Sequence, residues 1–294
     1  MEYWKILILA LVQGAAELLP VSSSAHVIVA EKLMGLDPAS PEMVFLLVML
    51  HTGTMFAVLL YFWPRWRGIW FSTPAAEHGT ASHSGLQFLK MVILATLVTG
   101  ALAAGLWFLI ETIILRQALG RPDAKIEDLF KSLPLIAVSL FLVGIFIIVA
   151  GLRKPIEWAA PLTTRSAIWI GALQALCLPF RGFSRSGATI SLALLFGIPR
   201  QRAEDFSFAL AVGITPAVIG KSVLELLKPG KRPSHVGFLD LILPGLIGMA
   251  FSFVAGLVAL KLLSAVLERG RWRYFGYYCF AAAAVVCAMY LKGY

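Results

Sequence analysis

Apolar residues along this chain come in runs rather than in stripes. Six runs are long enough to cross the hydrocarbon core of a bilayer, which takes about 20 helical residues. They are Val44–Trp63, Phe88–Ile110, Leu133–Leu152, Phe206–Leu227, Phe238–Leu263 and Tyr274–Leu291, each bounded by charge, proline or glycine. Two further runs are too short to span: Ile6–Leu19 stops at Pro20, and Ile168–Pro179 ends on a proline. Each leads into a Ser- or Gly-rich turn and a second short run, Ala25–Met34 or Ala188–Phe196. Proline disfavours helix in the residue before it and lacks an N–H, while serine just after it caps a new helix well. Two half-length helices broken at a polar turn predict a re-entrant hairpin, and the chain carries two of them.

The hairpins match each other. With the chain laid on itself at an offset of 162 residues, Leu11 falls on Leu173, Ser22 on Ser184, Ser24 on Ser186, Leu33 on Leu195, Gly35 on Gly197 and Glu42 on Glu204. Each half then reads as one hairpin followed by three spans. Three is odd, so the second copy enters the membrane from the opposite side. Inverted repeats place their site on broken helices at the repeat interface, near mid-membrane. The predicted fold is an all-α polytopic membrane protein, a single domain over 1–294, with repeats at about 1–152 and 165–294. The polar turns Pro20–Ser24 and Gly182–Ser186 are expected to meet, turning Glu17, His26 and Arg185 to one cavity.

Composition agrees with this picture and narrows the partners. The 294 residues are 59% hydrophobic and 14% charged, against about half and a quarter in soluble domains, and mean hydropathy is +0.84. A net charge of +9 could suggest nucleic acid, but the cations sit between apolar runs. Arg65 and Arg67, Arg153 and Lys154, Arg200 and Arg202, and Arg269, Arg271 and Arg273 stand where anionic headgroups favour them. Membrane lipid is the expected partner and nucleic acid is not. The Arg65, Arg153 and Arg269 loops carry the excess of Lys and Arg expected of a cytoplasmic face, which puts the opening of the first hairpin on the outer side. Cys177, Cys279 and Cys287 lie in apolar surroundings without paired spacing and read as packing residues. The N-terminal run, interrupted by Gln13 and Glu17, is expected to stay in the mature protein. His78 and His83 read as solvated loop residues and His235 lies in a short polar loop, while His51, inside an apolar span near Thr52 and Thr54, reads as a hydrogen-bonded packing histidine with a site-lining role as the alternative.

Chemistry concentrates in two motifs. The first is Gln13-Gly-Ala-Ala-Glu17-Leu-Leu-Pro20-Val-Ser22-Ser23-Ser24-Ala-His26. Gln13 and Glu17 share a helix face, and so do Ser23 and His26 on the next helix. Ser22, Ser23 and Ser24 open that helix, where free N–H groups and the positive dipole end favour an anion. The second motif is Pro179-Phe-Arg181-Gly182-Phe-Ser184-Arg185-Ser186-Gly187-Ala-Thr189-Ile-Ser191. Ser184 or Ser186 can cap a helix, Gly187 lets a ligand near the backbone, and Thr189 lies one turn from Arg185. An arginine fork matches phosphate oxygens with two parallel hydrogen bonds. Caps and hinges explain the serines singly. They do not explain Glu17, His26 and Arg185 together, because a charge at mid-membrane costs about 2.5–3.5 kcal/mol on insertion scales. A carboxylate, an arginine, helix N-termini and hydroxyls suit a lipid phosphate or diphosphate bridged by a divalent cation such as magnesium. A serine beside a histidine adds a candidate nucleophile and base.

At Glu17-Leu-Leu-Pro-Val-Ser-Ser-Ser-Ala-His26 and Gly182-Phe-Ser-Arg-Ser-Gly-Ala-Thr-Ile-Ser191 the sequence resembles the undecaprenyl-diphosphate phosphatase, or bacitracin-resistance, family. The resemblance implies a multi-pass enzyme of the bacterial inner membrane, with magnesium or calcium as cofactor and with a homodimer among its expected partners. It would hydrolyse undecaprenyl diphosphate to the monophosphate carrier of cell-wall synthesis. It also implies roles: Glu17 as catalytic acidic residue and metal ligand, Ser23 as nucleophile, His26 as base or alternative nucleophile, and Arg185 as phosphate clamp. Gln13, Ser22, Ser24, Arg181, Ser184, Ser186, Gly187 and Thr189 would assist binding. Two positions depart from the family pattern. Gln13 stands where a second glutamate is usual, and Arg181 where proline commonly precedes Gly182. The competing reading is a polyprenyl-phosphate transporter or flippase, because broken helices and inverted repeats also build transporters.

Overall fold

The structure is a computed structural model that describes residues 2–37, 40–71, 85–118, 129, 132–153, 160–226 and 238–293. His78, His83 and His235 lie outside the described residues. Every regular element among them is helical: α1 (Tyr3–Leu18), α2 (Ser23–Leu33), α3 (Pro41–Phe71), α4 (Gly85–Phe108, continued by a π-helical stretch Leu109–Ala118), α5 (Leu133–Leu152), α6 (Thr164–Cys177), α7 (Arg185–Leu195), α8 (Arg200–Leu226), α9 (Phe238–Glu268) and α10 (Arg273–Leu291). Six of these, α3, α4, α5, α8, α9 and α10, are long and apolar enough to cross a membrane, one for each long apolar run of the sequence. Side chains such as Leu97, Phe108, Leu142, Val149, Val258 and Val285 are about half exposed. Large apolar side chains turned outward on every such helix suit a lipid solvent.

The short runs form the two expected helical hairpins. α1 packs on α2 and α6 on α7, and with 16, 11, 14 and 11 residues none approaches the length of a span. The repeat persists at the hairpin ends. Gly35 and Gly197 both take positive φ, at 63° and 81°. The backbone N–H of Leu36 reaches Glu31 O as that of Ile198 reaches Ala193 O, at 2.9 and 3.0 Å. These pairs are again 162 residues apart, so the same C-terminal cap closes both hairpins.

The chain divides into two compact units, each taking segments from both halves of the sequence. One comprises Met1–Leu19, Ser23–Trp63 and Ala211–Ala265; the other comprises Pro20–Ser22, Pro64–Leu210 and Val266–Tyr294. In the first unit, Ile6, Leu9 and Ala10 of α1, Val27 of α2 and Met43, Leu46 and Leu50 of α3 form a buried apolar cluster. α9 docks against α1 and α3 at two glycines. A Cβ on Gly14 would lie 2.6 Å from the Ser252 carbonyl oxygen, and one on Gly53 only 2.3 Å from that of Met249. Ser252 Oγ also donates to Leu50 O at 2.8 Å. In an open helix, Gly→Ala gains up to about 1 kcal/mol. Here the added methyl meets backbone, and overpacking costs about 1–3 kcal/mol. Gly53→Ala is therefore expected to lower the thermal midpoint in detergent. Gly100→Ala, where a Cβ meets nothing within 4 Å, is expected to leave the midpoint unchanged or raise it.

In the second unit, two of the interhelical cations do more than flank the membrane. Arg153 Nη1 donates to the carbonyl of Leu195, the last residue of α7. Arg200 Nη1 donates to Glu268 O at the end of α9, at 2.9 Å. Cations there satisfy the terminal carbonyls and the negative dipole end. Arg65 corrects its reading as a simple flanking cation: Nη1 lies 3.0 Å from Glu204 Oε2 and 3.4 Å from Asp205 Oδ1. Both carboxylates are buried, and a buried charge persists only when paired.

Candidate active site

α1 ends at Leu18 because Pro20 follows, and the turn Pro20–Ser22 belongs to the second unit. Ser22 is buried with φ at 66°, a region few residues other than glycine visit. Pro20 O accepts from Cys279 Sγ at 3.5 Å within that unit. Ser23 then opens α2 in the first unit.

Three residues of the first motif converge on one carboxylate. Ser23 Oγ donates to Glu17 Oε2 at 2.5 Å, and Gln13 Nε2, from a buried side chain, donates to the same oxygen at 3.2 Å. Two donors thus converge on one carboxylate oxygen. The neutral residue at position 13 thus serves as a donor to Glu17, a role no glutamate could fill when ionised. Ser24 and His26 are partly exposed on α2. Ser23 and His26 share a face of α2, and the Ser23 hydroxyl proton is directed to the Glu17 carboxylate.

A fourth member comes from α3. His51 Nδ1 lies 2.8 Å from Leu47 O, one turn back. A carbonyl only accepts, so Nδ1 carries the proton in this contact. Nε2 is left facing Glu17 Oε2 at 3.9 Å. His51 keeps the hydrogen bond expected of a packing histidine and also lines the Glu17 site. No spacing rule links positions 17 and 51; shared packing on α9 brings them together.

The second motif is built in the second unit. Ser184 caps α7, its Oγ accepting from Gly187 N at 3.2 Å and lying 3.4 Å from Ser186 Oγ. Arg185 is thus the first residue of a capped helix, at its positive dipole end. Thr189 Oγ1 donates to Arg185 O at 2.9 Å and stands 2.6 Å from Ser207 Oγ. With the threonine proton committed to the carbonyl, Ser207 is the donor of that second bond. Ser191 Oγ accepts from the indole of Trp272 at 2.9 Å. Gly187 is buried, and Ile147 and Ser184 lie 3.0 and 3.2 Å from where its Cβ would be, so protein packing rather than open space meets its backbone on that side. Arg181 is partly exposed in the turn before α7. Ser207 and Trp272 went unrecognised from sequence because Ser207 sits in an apolar run on α8 and Trp272 between two arginines just before α10, each far along the chain from the motif.

A family model described as "Bacitracin resistance protein BacA" matches residues 6–285. The chain belongs to that family. An "Undecaprenyl-diphosphatase 2" of Acinetobacter baylyi is 50% identical over 292 residues, covering 98% of this chain and 98% of that protein. An "Undecaprenyl-diphosphatase" of Korarchaeum cryptofilum is 32% identical over 298 residues, with 98% and 100% covered. An "Undecaprenyl-diphosphatase 2" of Burkholderia thailandensis is 31% identical over 296 residues, with 98% and 96% covered. The BacA match runs through both hairpins and all six long helices, so it takes in the carboxylate–serine pair and the capped arginine alike.

Proposed function

We infer that the chain is an undecaprenyl-diphosphate phosphatase, hydrolysing the lipid diphosphate to undecaprenyl phosphate and inorganic phosphate. The product is the carrier reused in cell-wall synthesis, and its supply underlies bacitracin resistance. Full-length relatives named for this reaction support the activity. The observation that carries its mechanism is the 2.5 Å hydrogen bond from Ser23 Oγ to Glu17 Oε2.

In this reading Glu17 is the general base and Ser23 the nucleophile. The Oγ–H bond breaks, its proton passes to Glu17, and Oγ bonds to the terminal phosphorus. The bridging P–O bond breaks with its electron pair on undecaprenyl phosphate. Glu17 gives the Ser23 proton to the departing oxygen. Water then attacks the phosphoserine, Glu17 taking the water proton and returning it to Ser23 Oγ as the Oγ–P bond breaks and inorganic phosphate leaves. Gln13 holds the carboxylate toward Ser23, and His26 contributes a polar group on the same helix. Arg185, with Ser184, Ser186 and the N–H groups opening α7, binds the phosphate oxygens and offsets charge that grows in the transition state. The family resemblance supports a place in the bacterial inner membrane, and the Lys/Arg distribution supports the first hairpin opening outward.

The family resemblance implies magnesium or calcium. Among the described residues no group of three or more His, Cys, Asp or Glu is gathered. Glu17 is the one carboxylate in the cluster with Ser23, and magnesium needs only one or two carboxylates alongside phosphate oxygens and water. The residues thus fit an ion that arrives with the diphosphate, held by Glu17, and such an ion neutralises phosphate charge when bound. Purified protein in detergent is expected to release phosphate from undecaprenyl diphosphate, to stop with EDTA and to recover with magnesium or calcium. A protein that handles the lipid only across a sealed bilayer and releases no phosphate in detergent is a transporter instead.

A further inference from the structure

We propose that Trp272 is a positioning residue for Arg185, acting through Ser191 and the roll of α7, and this rests on the reading of Arg185 as phosphate clamp. The indole Nε1 donates to Ser191 Oγ at 2.9 Å. An indole N–H only donates, so the direction of this bond is fixed. Ser191 is fully buried and Trp272 is 2% exposed, so water is no alternative partner for either. Ser191 stands two residues past Thr189, which turns it about 200° around the helix axis. Thr189 meets Ser207 of α8 at 2.6 Å. Trp272 therefore holds α7 on the side away from that contact. One anchor leaves a helix free to roll about it, whereas two on opposing faces fix the roll. Arg185 opens the same helix of 11 residues. Its guanidinium stands well off the axis, so the roll of α7 decides where the fork points.

The chain around Trp272 is built to bring the indole to that place. α9 closes at Gly270, whose φ is 68°. Gly270 N donates to Leu267 O and Arg271 N to Val266 O, both at 3.0 Å, a C-terminal cap that reverses the chain. Arg200, opening α8, donates to Glu268 O at 2.9 Å, and its Nη2 lies 3.0 Å from where a Gly270 Cβ would be. Arg271 and Arg273 are exposed while the tryptophan between them turns inward. Its ring meets Phe275 edge-on, with 5.6 Å between centroids. Filling space alone needs no indole here. A buried phenylalanine facing a buried alanine would leave no polar group to satisfy.

The experiment measures kcat and KM for phosphate release from undecaprenyl diphosphate in detergent, with a thermal melt of each protein. The variants are Trp272→Phe, Ser191→Ala and Arg185→Lys, and each of the first two combined with Arg185→Lys. Trp272→Phe keeps a buried ring and loses the donor, while Ser191→Ala removes the acceptor and keeps the ring. A group misplaced by about 1 Å costs about 10²-fold. Each of these two is therefore expected to lose about 10–10²-fold in kcat, with KM changed less. The combinations separate positioning from stability. If Trp272 works through the arginine fork, its loss costs less than about twofold further in kcat once Arg185 is lysine, because residues acting as a unit are non-additive. The shift in melting point persists in both backgrounds. Full kcat in Trp272→Phe or in Ser191→Ala overturns the proposal. So does an equal fold-loss in the wild-type and Arg185→Lys backgrounds, which marks a structural role only. Should Trp272→Phe not fold, Ser191→Ala decides by the same comparison. If the wild type releases no phosphate, or Arg185→Lys keeps full kcat, the underlying reading fails and the proposal with it. If Arg185→Lys is impaired and Trp272→Phe is fully active, only the proposal fails.

Discussion

Arg185→Lys is expected to cut kcat for phosphate release by about 10²–10³, the usual cost of removing one preorganised contact to developing charge, with a smaller change in KM. Lysine keeps the positive charge but loses the planar fork that grips two phosphate oxygens at once. The setting of Arg185 makes that geometry count. It opens α7 directly after the Ser184 cap, so the guanidinium and the helix N-terminus address the same anion. Its carbonyl is tied to Thr189, whose hydroxyl stands 2.6 Å from Ser207 on α8, so its backbone is anchored to a second helix. Charge on the phosphoryl oxygens shifts most in the transition state, so the loss belongs in kcat. Steady-state kinetics on the purified variant decide the point. A raised KM at unchanged kcat would make Arg185 a ground-state binder only.

Much of the architecture was legible because run length in an apolar sequence maps directly onto helix length. The run Ile6–Leu19 became α1 over Tyr3–Leu18, and Ala25–Met34 became α2 over Ser23–Leu33. Reading failed where a helix outlives its apolar run. The run ending at Trp63 continues to Phe71 through Pro64 and Arg65. Part of the reason is that Arg65 pairs with Glu204 and Asp205, so its charge does not mark a helix end. The first apolar run of the middle region continues past Ile110 as a π-helix to Ala118, a turn geometry that no periodicity announces.

The site was legible by residue type and less so by partnership. Glu17, Ser23 and Gln13 stood out because polar residues are costly in an apolar hairpin. Helical spacing paired Ser23 with His26, yet the serine bonds Glu17, six residues back across the Pro20 turn. Spacing rules hold within one helix and say nothing across a break. For His51 the sequence leaves packing and site lining both open, because its relation to Glu17 depends on how α1 and α3 each meet α9.

The most direct test of the account is turnover of Ser23→Ala, set beside Ser23→Cys. If Ser23 only hydrogen-bonded the phosphate, Ser22, Ser24 and backbone N–H groups would cover most of its loss. If it attacks phosphorus, a neighbouring hydroxyl does not replace it, because it is the Ser23 oxygen that lies 2.5 Å from the Glu17 carboxylate and donates its proton there. A methyl cannot attack and a thiol can. The account predicts that Ser23→Ala falls by about 10² or more in kcat, while Ser23→Cys retains measurable turnover. A Ser23→Ala protein that keeps more than about a tenth of wild-type turnover, a barrier change below about 1.4 kcal/mol, contradicts it and passes the attack to His26 or to water.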